Sequence, residues 1–128
     1  LRAEGIPNSF DFQGSVCFIT NIKFDNVKSK KLKDHLDALM SRCHYIDLTL
    51  DTERDKYLRI QQIARKGDLF KNYTMSKESE DEILQFMFQK RKFLREMSLR
   101  MALKIADLKK MNSSNWKMLA ENTCMRRS

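Results

Sequence analysis

The sequence predicts an all-α fold, an antiparallel helical bundle of four to five helices, on three observations. Three Gly and one Pro among 128 residues leave long stretches without a breaker. Leu and Met recur throughout, whereas Val stands just at Val16 and Val27, a bias toward helix formers over strand formers. The apolar residues recur mostly at three- and four-residue intervals, the period of a helix face. With 41% hydrophobic and 33% charged residues the composition is that of a globular protein, and the length fits one domain over residues 1–128.

Residues 1–8, with Gly5 and Pro7, read as an extended arm, after which Asn8, Ser9 or Asp11 offers an N-cap. Phe12, Val16, Ile19 and Ile22 fall on one helical face, although Val16 to Ile19 also suits a short strand. Leu32, Leu36, Leu39, Met40 and Cys43 trace the stripe of an amphipathic helix. Asp47 or Thr49 is positioned to cap the next helix, which carries Leu50, Tyr57, Ile60, Ile63 and Ala64 and ends at Gly67 as a left-handed C-terminal residue. Its early Asp51 and Glu53 and late Arg65 and Lys66 complement the helix dipole.

Residues 68–78 form a connection, and Ser79 with Glu82 supplies a capping box for the longest helix. That helix is expected to run as one stripe through Ile83, Met87, Leu94, Met97, Met101, Ile105 and Leu108, flanked by Phe86 and Phe93. Asn112 to Asn115 interrupt it, and Ser113 or Ser114 caps a last short helix bearing Trp116, Leu119 and Ala120, with Cys124 to Arg127 fraying from its end.

A net charge of +8 favours anionic partners without choosing among nucleic acid, acidic glycan, lipid and protein. Apolar runs such as Val16 to Ile19 are far shorter than the roughly 20 residues of a membrane-spanning helix. Cys17, Cys43 and Cys124 are odd in number, which leaves one bridge with a free thiol, an intermolecular bridge, or three buried thiols. Asn72-Tyr73-Thr74 and Asn112-Ser113-Ser114 are N-glycosylation acceptor sequences, and together with a start at Leu1 they favour secretion.

Nothing in the chain nominates catalysis, a metal or a cofactor. His35 and His44 are nine residues apart, off the i, i+4 spacing of paired ligands, and adjacent Cys43 and His44 point different ways on a helix. Gly5, Gly14 and Gly67 are isolated, so there is no phosphate loop and no small-molecule substrate is expected. The positive charge falls in blocks: Lys28, Lys30, Lys31 and Lys33; Lys90, Arg91, Lys92 and Arg95; Arg100, Lys104, Lys109, Lys110 and Lys117. Opposite the core stripe of the long helix stand Phe88, Leu99 and Leu103, interleaved with Lys92, Arg95 and Lys110. Such a face is either buried by neighbouring helices or an exposed surface that is apolar and basic at once. If exposed, Lys90, Arg91, Lys92, Arg95, Phe88, Leu99 and Leu103 are the candidate binding residues. Nucleic acid is not the expected partner, because no recognition motif occurs and the aromatic residues occupy apparent core positions.

Phe24-Asp25, Asn72-Tyr73 with Met75, Met101-Ala102 leading to Leu108-Lys109 and Asn112, and Met125-Arg126 resemble the abalone sperm acrosomal proteins, lysin and its fusagenic paralogue. The resemblance spans most of the chain; three cysteines, one Trp and few Arg bring it nearer the paralogue. It implies a non-enzymatic, secreted or acrosomal protein acting in fertilization by binding an anionic membrane surface or an egg-coat glycoprotein. Basic blocks would give attraction and apolar residues grip, with membrane fusion or cell adhesion as the outcome and a homodimer among the possible assemblies. The alternative is a secreted four-helix cytokine that binds a cell-surface receptor.

Overall fold

The computed structural model describes residues 5–127, which form five α-helices and no strand. The all-α, helical-bundle expectation is borne out. The sequence predicts a single domain with an extended arm over residues 1–8. The chain divides into two compact units, Leu1–Asp47 and Leu48–Ser128, and the first four residues of that arm lie outside the described residues.

In the first unit the predicted helix over Phe12 to Ile22 does not form, and neither does the alternative strand. This stretch is irregular, and Phe10, Phe12, Val16, Phe18, Ile19 and Ile22 are all exposed. An amphipathic pattern makes a helix only when its apolar stripe finds a surface to cover, and these side chains stay exposed. A 3₁₀ turn, Phe24–Asn26, follows, with the Phe24 ring 5.4 Å from that of Tyr45. Helix α1, Lys30–Arg42, is capped by Ser29 Oγ, which accepts from Leu32 N at 3.4 Å. It buries no residue fully; Leu36, Leu39 and Met40 are half-buried and Leu32 is exposed.

The second unit holds the core. Helix α2, Glu53–Lys66, begins one turn later than predicted, with Thr52 Oγ1 accepting from Asp55 N at 3.1 Å in place of Asp47 or Thr49. It ends at Gly67, whose φ of −109° is not left-handed. Glycine is required there by proximity, since a Cβ would stand 2.9 Å from the Ile63 carbonyl oxygen; the left-handed turn is taken by Asp68, at φ 52°. A 3₁₀ turn, Lys71–Tyr73, and left-handed Thr74 lead to α3, Lys77–Gln89. Ser76, not Ser79, caps α3 by accepting from Ser79 N at 3.2 Å, and Glu82 turns away to another partner.

The predicted long helix is two helices. Helix α3 stops at Gln89, and α4, Leu99–Met111, starts after Ser98, whose Oγ accepts from Met101 N at 3.1 Å. No Gly or Pro forces the break. The intervening segment instead forms an antiparallel bridge, Leu94 with Met125, closed by Arg95 N to Cys124 O at 2.9 Å and Arg126 N to Phe93 O at 2.7 Å. That pairing buries Leu94 to 1% exposure. Burying such a side chain contributes about 2 kcal/mol, enough to outweigh a few residues of helix propensity.

Helix α5, Trp116–Thr123, follows a turn held by Asn112 Oδ1, which accepts from Ser114 N, Ser114 Oγ and Asn115 N; Ser113 and Ser114 are not its caps. Residues 124–126 do not fray but form the bridge partner of residues 93–95. Helix α3 packs against both α2 and α4, and α4 packs against α5. Ile83, Met87, Leu94, Met101 and Ile105 lie at the centre with Phe70.

Candidate functional site: a basic cleft beside the Leu94–Met125 bridge

The break between α3 and α4 places the densest basic block of the sequence on an irregular connection rather than on a helix face. Lys90 caps the C-terminus of α3, its N–H donating to Phe86 O at 2.9 Å. A tight turn follows, in which Phe93 N and Leu94 N both donate to Lys90 O. The C-terminal segment then runs alongside. Lys90, Lys92, Phe93, Glu121, Met125, Arg126 and Arg127 thereby line an open cleft of about 480 Å³.

Several cations of this region hold the fold. Arg95 donates from Nη2 to Thr123 O at 2.5 Å, satisfying a carbonyl at the end of α5. Arg126 donates from Nε to Leu94 O at 2.9 Å and stands 3.6 Å from Glu53 Oε1. Lys90 Nζ is 3.3 Å from Glu121 Oε1, an exposed pair of little energetic consequence. Lys92 and Arg127 make no hydrogen bond or ion pair among the described residues, so their charge is available to a ligand.

The seven residues singled out by sequence do not form one face. Phe88 lies on α3 and Leu99 and Leu103 on α4, separated by the break. Leu99 and Leu103 pack against the core cluster. Phe88 is partly exposed at 39% and is already engaged, with Tyr57 at 5.0 Å and the Arg91 guanidinium 4.2 Å over its ring. Arg91 also donates to Phe88 O at 2.8 Å. The structure brings together only Lys90 and Lys92 of that set in the cleft, and sequence reasoning missed Phe93, Met125, Arg126 and Arg127. The one local signal was a short alternation, Phe93-Leu94-Arg95, in which the buried Leu94 stands between two exposed residues.

Further basic residues predicted as surface are absorbed by the fold. Lys109 is 8% exposed, its Nζ 2.6 Å from Glu82 Oε2 and 4.6 Å from the Trp116 ring centre. Lys110 Nζ donates to Tyr73 O at 3.0 Å. A smaller cleft of about 300 Å³ is lined by Arg95, Lys104, Asp107, Leu108, Thr123 and Cys124.

Among the described residues no group of three or more His, Cys, Asp and Glu is arranged to hold a metal, and no helix is long and apolar enough to cross a membrane. Cys17 and Cys43 are free and exposed and Cys124 is free and buried, so neither a bridge within the chain nor three buried thiols describes them.

No protein-family model matches the chain. No solved structure matches it. Over 122 residues, 94% of its length, it is 32% identical to the uncharacterized 36.7 kDa protein in the nrdC-mobD intergenic region of Enterobacteria phage T4. The chain spans 38% of the length of that phage protein. This similarity overturns the resemblance to abalone sperm acrosomal proteins. The roles inferred from it in fertilization, membrane fusion and adhesion, with secreted or acrosomal placement, are corrected accordingly, and so is the secreted cytokine. By sequence, the chain is similar along nearly all its length to part of a phage protein.

Proposed function

We propose that the chain is a non-catalytic binding module whose cleft beside the Leu94–Met125 bridge takes a phosphate-bearing polyanion. The observation that carries this reading is the grouping of Lys90, Lys92, Arg126 and Arg127 around one cleft, with Lys92 and Arg127 unpaired among the described residues. Neither of these two charges is neutralised within the fold, so both are free to meet phosphate oxygens through charge-assisted hydrogen bonds. The walls are fixed by backbone hydrogen bonds at 2.9 and 2.7 Å, so little ordering is needed on binding.

The test is binding of inorganic polyphosphate by the intact chain across a salt series. Each cation that neutralises a phosphate displaces about one condensed counterion, so affinity should fall steeply with salt. Lys92→Glu with Arg127→Glu should weaken binding and flatten that dependence by about two counterions. Unchanged affinity in the double variant, with its melting temperature preserved, refutes the cleft as the site.

A further inference from the structure

We infer that the polyanion is a single-stranded nucleic acid, one of whose bases stacks on Phe93. This deepens the proposed function and rests on it. The expectation against nucleic acid came from aromatic residues at core positions, and Phe93 does not occupy one: it is 61% exposed and lines the cleft.

Every other aromatic ring in the second unit already meets another ring. Tyr57 meets Phe88 at 5.0 Å, Phe70 meets Tyr73 at 6.5 Å, and Phe86 meets Trp116 at 5.3 Å. Cations cover Phe88 and Trp116 as well. Among the described residues, no ring or cation stacks on Phe93.

Its backbone is held on both sides, by its N–H to Lys90 O at 2.9 Å and by Arg126 N to its own O at 2.7 Å, while the next residue, Leu94, is anchored in the core. An apolar ring is thus presented to solvent from a rigid mount. The ligand that suits a flat apolar face in a cleft also lined by Lys90, Lys92, Arg126 and Arg127 is itself flat and aromatic and carries regularly spaced phosphates. Duplexes keep their base faces covered by stacking and offer only edges, so the ring favours an unpaired strand. Met125 extends the apolar floor of the cleft beside the ring.

The experiment uses the intact chain and a fluorescently labelled oligothymidylate of roughly a dozen nucleotides, long enough for one site. A duplex of equal length and inorganic polyphosphate serve as comparison ligands at matched salt. The oligothymidylate should bind more tightly than the duplex. Phe93→Ala and Phe93→Leu should each lower its affinity about tenfold, Phe93→Trp should retain it, and none should alter polyphosphate affinity. Because Phe93 is exposed, the variants should melt with the wild type; should Phe93→Ala not do so, Phe93→Trp against Phe93→Leu is the deciding pair. Equal binding of duplex and single strand, or equal loss of oligonucleotide and polyphosphate affinity in Phe93→Ala, overturns the inference. Polyphosphate binding without oligonucleotide binding overturns it too while leaving the cleft reading intact, and binding of neither ligand removes both.

Discussion

Lys109 Nζ lies 2.6 Å from Glu82 Oε2, joining α4 to α3 through a lysine that is 8% exposed and a glutamate whose side chain is 52% exposed. The hydrogen bond from Lys109, and then its charge, hold the Glu82 carboxyl below the usual glutamate value, with Lys117 adding a smaller push the same way. A carboxylate whose pKa is lower folded than unfolded adds stability above its unfolded value, about 4.3, and loses it as pH falls through the folded value. Urea denaturation from neutral pH downward should therefore show Glu82→Gln less stable than wild type at neutral pH, with the difference shrinking in acid. A pH-independent difference counts against the pair. Lys109→Met keeps the stem's packing and should cost less than about 1 kcal/mol, whereas Lys109→Ala should cost about 2 kcal/mol by exposing Trp116.

Leu94 is the apolar anchor that ends the would-be long helix. Leu94→Ala should destabilise by about 2–5 kcal/mol in chemical denaturation. Leu99→Ser and Leu103→Ser, which pack against the same core, should each cost on the order of 1–3 kcal/mol. Wild-type melting of both serine variants would place these leucines outside the core.

Tyr73 Oη donates to Asp107 Oδ1 at 2.6 Å, and its pKa is pushed up to about 12, first by that hydrogen bond and then by burial and the carboxylate charge. A raised tyrosine pKa adds stability that is fully present below the unfolded value, about 10, and is lost as pH rises through the folded one. Spectrophotometric titration should show one late phenolate transition near 12, absent in Tyr73→Phe. Its persistence in Tyr73→Phe would assign it to Tyr57, which burial also raises.

The three thiols should differ in reactivity. A thiol reagent added to the native chain should modify Cys17 and Cys43 rapidly and Cys124 only after denaturation, since Cys124 is 2% exposed. Rapid native labelling of Cys124 would mean that the Leu94–Met125 bridge opens readily.

The residues Ile83, Met87, Met101 and Ile105 were legible as core because each lies on a helical stripe long enough to cover neighbours. Hydroxyl caps were legible in kind but displaced in position, as at Ser76 and Thr52, because several polar residues compete near each helix start and packing selects among them. The cleft was not legible. Lys90 and Lys92 announced themselves by charge, but their companions lie more than thirty residues away at Arg126 and Arg127, and no local pattern couples them.

By itself the sequence determined the helical class and the apolar stripes of α2 to α5, because propensity and periodicity act within a few residues. Tertiary structure alone decided that residues 90–98 leave the helix, that Phe93 faces solvent while Leu94 is buried, and that Lys109 is drawn inward to Glu82. Each of those outcomes depends on a partner distant in sequence: Met125 for the bridge, Cys124 and Arg126 for its backbone bonds, Glu82 for the lysine. Burial energy exists only between surfaces that meet, and the order of residues does not state which surfaces those are.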